Sequence, residues 1–88
     1  MGMFQDALEL YQKVEEKQII SLGNTHPDVQ STQHNKASCM QSMGMYQDAL
    51  ELYQKVVEKR IISLGNDHLD VRRTRHNKAD CLVKMRKY

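Results

Sequence analysis

The chain has no tryptophan and a single phenylalanine, so large core side chains are scarce. No apolar run approaches the roughly 20 residues of a membrane-spanning helix, and no secretory pattern opens the sequence; both absences point to a soluble, intracellular, cytoplasmic protein. Recognisable catalytic spacing is missing too: there is no Cys-x-x-Cys, no His-Glu-x-x-His and no glycine-rich phosphate loop. His26 and His34 stand about two helical turns apart, roughly 12 Å, too far to share a metal ion. His34 and Cys39 diverge on the helical wheel. The acidic residues are scattered along outer faces. The expectation is therefore a non-enzymatic chain with no metal site and no cofactor. With 88 residues it makes one domain at most, and burial of only about 60–65% of the unfolded surface is expected.

What the chain does have is itself, twice. Residues 1–42 return as residues 43–84 with 12 differences in 42 positions. Met1-Gly2-Met3-Phe4-Gln5-Asp6-Ala7-Leu8 comes back as Met43-Gly44-Met45-Tyr46-Gln47-Asp48-Ala49-Leu50. Self-similarity at a fixed period marks stacked supersecondary units, each in contact mainly with its neighbours. Such a stack offers a long surface rather than a closed pocket, which argues for binding and against catalysis. The two cysteines, Cys39 and Cys81, are equivalent positions of the two copies. Equivalent helices of adjacent units lie about 8–10 Å or more apart, while a disulfide needs Cα atoms within about 7 Å, so both are expected to be buried thiols.

Each copy reads as two helices. Phe4, Ala7, Leu8, Tyr11, Val14, Ile19 and Leu22 fall in an arc of about 140° at helical spacing. Leu22-Gly23-Asn24 is a stop, with Gly23 suited to the left-handed residue after a helix. Thr25-His26-Pro27-Asp28 starts the next helix: Thr25 as cap, Pro27 in the first turn, Asp28 at capping-box spacing. The second copy has Asp67-His68-Leu69-Asp70 there, without the proline. Met43-Gly44 makes a tight helix–helix turn. The predicted helices cover 3–22, 27–42, 45–64 and 69–86.

Gly44-x-Tyr46-x-x-Ala49-x-x-x-Tyr53, preceded by Ala37-x-x-Met40, resembles a tetratricopeptide repeat, in which small residues sit at close helix crossings and aromatics fill the gaps. The 42-residue period and the loop Leu-Gly-Asn-Thr/Asp-His-Pro/Leu-Asp-Val are similar to the longer variant of kinesin light chains and related scaffolds. The resemblance covers the whole chain and implies an all-α fold, a four-helix α-solenoid segment of tandem antiparallel helix–turn–helix repeats. It makes 1–88 a single domain, with units 1–42 and 43–84 and the start of a further unit at 85–88. By the same comparison the helices over 27–42 and 69–86 are first helices of a repeat, and the other two are second helices. The chain thus runs second–first–second–first, and its outer helices lack a neighbour. Phe4, Leu8 and Tyr11 at one end, and Leu82 and Met85 at the other, are then candidates for self-association, or for contact with the rest of a longer array.

Some residues depart from the family pattern. Gln33, Lys36, Arg75 and Lys78 fall mid-stripe on the first helices, beside Val29, Thr32, Met40 and Met43, where large apolar residues are usual. Their long stems can lie along apolar surface while the polar ends reach water. Glu15, opposite Val57 of the other copy, is a similar anomaly. A Glu15–Lys36 pair is one explanation; exposure of Glu15 on a helix lacking its neighbour is the preferred one.

Charge separates the copies. Residues 1–42 carry three Lys/Arg against five Asp/Glu, net −2, and residues 43–88 carry ten against six, net +4. The excess gathers on the last helix and its tail at Arg72, Arg73, Arg75, Lys78, Lys84, Arg86 and Lys87. Gln30, Ser31 and Gln33 stand where the second copy has three arginines. Arg72, Arg73, Arg75 and Lys78 form either a solvated basic face or a patch that selects acidic peptides. In the resembled family, first helices line a groove for extended peptides, and asparagines of a Thr-Leu-Asn-Asn-Leu-Ala segment reach the peptide backbone. That segment aligns with Thr32-x-x-Asn35 and Thr74-x-x-Asn77. The comparison thus implies peptide contacts from Asn35 and Asn77, with His34 and His76 beside them, Ser38 and Asp80 one turn on, and Arg73 for acidic side chains. Asp80 is also placed to hold His76. Nucleic acid is disfavoured as a partner, because the basic tail lacks interleaved aromatics and the first copy is acidic. The readings left open are an adaptor for an acidic peptide, a self-assembly element, and weak nucleic-acid binding through residues 72–87.

Overall fold

The computed structural model describes residues 3–87. The Met1-Gly2 pair that opens the first copy, the Lys87 side chain counted in the basic excess, and Tyr88 lie outside the described residues. Four helices follow one another: α1 Met3–Leu22, α2 Pro27–Ser42, α3 Tyr46–Leu64 and α4 Leu69–Lys87. Each packs against the next in the chain, and α2 also touches α4. None of the described helices is long and apolar enough to cross a membrane.

The glycine stops act as expected. Gly23, Gly44 and Gly65 all have positive φ, at 92°, 80° and 94°, the region open to a residue without Cβ. At the tight turn the Gly44 amide donates to Gln41 O (3.0 Å) and the Met45 amide to Met40 O (2.9 Å), so the last carbonyls of α2 are satisfied as α3 begins one residue later than expected. Both first-helix caps differ from expectation. His26, not Thr25, is the N-cap of α2, its Nδ1 accepting from the Asp28 amide at 3.1 Å. His68 does the same for the Asp70 amide, also at 3.1 Å. In both copies the imidazole reaches the amide two residues on, whether Pro27 or Leu69 stands between. Thr25 contributes its carbonyl instead, accepting from Gln30 Nε2 at 2.9 Å.

The core is small and centred on α3, the helix between α2 and α4. Ala49, Tyr53 and Val56 are buried there, with Ala37 from α2 and Cys81 from α4. Met40, Tyr46, Leu50 and Leu52 pack around the Ala37–Ala49–Tyr53–Cys81 cluster. Helix α1 carries the same residues at Ala7, Tyr11 and Val14, yet no α1 residue is buried; with α2 on one side only, its apolar face stays partly open. Cys39 and Cys81 are free, buried thiols, donating to Phe4 O (3.1 Å) and Tyr46 O (3.6 Å). Burial pushes the Cys81 thiol above its usual range.

Glu15 is where the preferred expectation fails. Its side chain is only 13% exposed and meets Lys36 Nζ at 3.1 Å, with Lys36 15% exposed. The other carboxylate oxygen accepts from Gln33 Nε2 at 2.8 Å. Gln33 in turn accepts from Lys59 Nζ at 3.0 Å, so one polar network joins α1, α2 and α3. The mid-stripe polar residues are thus mutually satisfied rather than left in water. In the second copy Val57 replaces the acid and is buried, Lys78 donates to Gln54, and Arg75 reaches Asn66 on the solvent side. Among the described residues no buried side-chain nitrogen or oxygen lacks a hydrogen-bond partner.

Candidate functional site

Helices α2 and α4 lie side by side, joined by His34 and, two turns on, by Gln41. Asn77 Nδ2 is a donor, so His34 Nε2 accepts from it (3.0 Å), and the ring proton sits on Nδ1, donating to Thr74 Oγ1 (3.2 Å). The ring also meets Tyr53 edge-on, centroids 5.7 Å apart. Thr74 is fully buried. Its hydroxyl accepts a second bond from Arg60 Nη1 at 2.8 Å and donates its own proton to Asp70 O at 3.0 Å. Arg60 Nη1 also reaches Asp70 O at 3.2 Å. Burial first, then the charges of Arg60 and Arg73, hold His34 below the usual histidine range, with Asp70 opposing. Arg60 itself is held below its ordinary value by burial.

Next to this joint, Gln41 accepts from the Tyr53 hydroxyl (3.2 Å) and donates to Asp80 Oδ2 (3.1 Å). Lys84 lies 3.2 Å from the same carboxylate. The bonds from Lys84 and Gln41 keep Asp80 below its ordinary value. Burial raises the Tyr53 hydroxyl.

Two shallow depressions open on the α2–α4 face and share His34 and Arg73. Ser31, Asn35, Arg60 and Asp70 complete one, and Leu69, Arg72, His76 and Asn77 the other. Three guanidinium groups therefore border this surface against the single carboxylate of Asp70, which lies 3.8 Å from Arg73. A third depression, between α1 and α2, is lined by Phe4, Ala7, Tyr11, Asn35, Ser38, Cys39 and Ser42.

The residues singled out from sequence divide accordingly. Asn35, Arg73 and His76 are exposed on the α2–α4 face, and Ser38 is exposed at its α1 edge. His34 and Asn77 also lie there, with Asn77 Nδ2 bonded to His34 Nε2 and the other ring nitrogen of His34 turned to Thr74. Asp80 is engaged by Gln41 and Lys84 rather than by His76. The basic residues do not form one patch: Arg72 and Arg73 border the face, whereas Arg75 turns to Asn66 and Lys78 to Gln54 of α3. Moving three and then six residues on from Arg72 rotates the side chain steadily toward α3. Of the self-association candidates, Phe4 is 52% exposed, and Leu8, Tyr11, Leu82 and Met85 are half-buried.

Arg60 was not anticipated. It stands where the first copy has Gln18, whose Oε1 accepts from Thr32 Oγ1 at 2.7 Å in the corresponding place. The substitution of Gln by Arg between otherwise matching copies was the available signal, hidden because it falls on a second helix rather than on α4.

Extended pairs of antiparallel helices at a 42-residue period, with small residues at the crossings and an open first-helix face, can be compared with known proteins. No curated protein matches the chain. The family model described as tetratricopeptide repeat matches residues 1–60 and again residues 28–88. Between them these matches span every residue, and the chain belongs to the tetratricopeptide repeat family.

Proposed function

We propose that this chain is a non-catalytic interaction scaffold that holds an extended acidic segment of a partner protein along the α2–α4 face. Tetratricopeptide repeats are protein-interaction modules, and this supports the coarser part of the reading. The observation that carries the finer part is the charge around the two depressions: Arg60, Arg72 and Arg73 against Asp70 alone. Asn35 keeps its side-chain amide free to pair with a peptide group, donating and accepting at once. Arg73 supplies a planar fork for carboxylates, and exposed carboxylates approach it by long-range attraction that salt weakens. His34 and Asn77 hold the two helices together through their mutual bond and line the surface beside Arg73 and His76.

The test is a fluorescence-anisotropy titration with a labelled peptide of alternating Glu and Leu. Arg73→Glu should weaken binding about tenfold or more by reversing a charge-assisted contact. Arg75→Glu, on the far side of α4, should change it by less than about twofold at moderate salt. Equal binding of the matching Lys–Leu peptide, or equal losses from both variants, would overturn the reading. Self-association, the other reading of the open helices, draws on some of the same residues, Asn35, Arg72 and His76, so assembly and peptide would compete there.

A further inference from the structure

The internal repeat supplies a template for what the two open faces accept. Ala49, Tyr53 and Val56 of α3 are 0%, 1% and 0% exposed, between α2 and α4. Ala7, Tyr11 and Val14 are the same three residues on α1, and there Val14 is 37% exposed. At the other end Ala37 of α2 is fully buried against α3, while its equivalent on α4, Ala79, is exposed. The chain therefore presents one half of its own internal joint on α4 and the other half on α1 and α2.

The polar groups of that joint are repeated as well. His34 meets Thr74, Asn77 and Tyr53. Shifting each by one period gives exposed His76 on α4, with exposed Asn35 and half-buried Tyr11 on the opposite face and Thr32 buried behind them. Gln30 Nε2 donates to Ser63 Oγ at 3.1 Å, and the shifted pair is Arg72 with Ser21. The first copy is net −2 and the second net +4, so the two units carry opposite net charge.

We propose that copies of this chain associate head to tail, α4 of one receiving α1 and α2 of the next in the register that α2 holds against α3 and α4. The contact is heterologous and adds further copies rather than stopping at a symmetric pair, unless the rotation closes a ring. It does not depend on the peptide reading above. Two of the 12 differences between the copies make it weaker than the internal joint. Where Lys59 donates to Gln33 inside the chain, Lys17 of the next copy meets Arg75. Where Gln41 receives the Tyr53 hydroxyl, Tyr11 of the next copy meets Val83.

That first mismatch makes the register testable. Sedimentation of the full chain over a wide concentration range should show a mass that rises with concentration. Val14→Glu, on the open α1 face, should return the chain to a monomer, with circular dichroism at low concentration confirming that it is folded. Arg75→Gln, which restores the Gln33–Lys59 arrangement and removes a like-charge contact, should tighten association about fivefold or more. A concentration-independent monomer for both wild type and Arg75→Gln would overturn the proposal. So would unchanged association of Val14→Glu. Weaker association of Arg75→Gln would do the same, because unregistered attraction between basic and acidic surfaces loses strength when an arginine is removed.

Discussion

Replacing Glu15 with valine makes the first copy match the second at this position, where Val57 is buried. Burying the valine stabilises by about 1.5 kcal/mol. Lys36 loses its carboxylate but has a second acceptor within the repeat pattern, since Gln12 stands where Gln54 receives Lys78. The pair is partly exposed, so losing it costs only about 1 kcal/mol. The larger loss falls on Gln33, which is buried and whose Nε2 has the Glu15 carboxylate as acceptor. Leaving that donor unpaired costs about 1–3 kcal/mol. Burial holds Lys59 below its ordinary value and Glu15 opposes that shift, so the lysine loses support too. The balance is destabilisation by about 1 kcal/mol, which in a domain of this size lowers Tm by about 4–8 °C. Thermal melts followed by circular dichroism measure it directly. Adding Gln33→Leu removes the orphaned donor and should recover most of the loss. A Tm that rises on Glu15→Val alone would refute the network and return Glu15 to an exposed liability on a helix without its neighbour.

Thr74→Val should destabilise by about 2 kcal/mol in urea unfolding, because His34 loses its acceptor and Arg60 one of two acceptors inside the α2–α4 joint, whereas Thr74→Ser retains most of it. His34 is held below the ordinary value of 6.5, so on acidification the unfolded chain takes up its proton first; its contribution to stability is unchanged above that value and falls below it until the folded-state group titrates. The drop in Tm between about pH 7.5 and 5.5 should therefore be smaller in His34→Gln than in wild type, and an equal drop would contradict the assignment. Gly44→Ala should lower stability by about 1–2 kcal/mol purely through its positive φ, since a Cβ there meets nothing within 4 Å, and Gly44→Asn should lose less in the same melts.

The fold was legible because its signals are local. Gly23, Gly44 and Gly65 mark the breaks, apolar spacing marks the faces, and the helix bounds agree with the reading to one residue at every end. The side-chain partners were less so. Glu15 and Lys36 are 21 residues apart, and whether they meet depends on how α1 crosses α2, which periodicity does not encode. The His26 and His68 caps were hidden because an imidazole is an uncommon cap, and neighbouring Thr25 and Asp67 are commoner ones. His34 and Asn77 were assigned to a ligand as individual residues; only the packing of α2 beside α4 reveals that they bond to each other. Arg60 escaped notice because its role comes from bonds to Thr74 Oγ1 and the Asp70 carbonyl of α4, contacts between helices that no helical wheel displays.

Whether a partner lies along the α2–α4 face can be read from amide and side-chain NMR shifts of the chain titrated with the Glu–Leu peptide. The largest shifts are expected at Asn35, Arg73 and His76, with His34 and Asn77 retaining the signals of their mutual bond. Shifts centred instead on Arg75, Lys78 and Lys84, or no shifts at peptide excess, would contradict it.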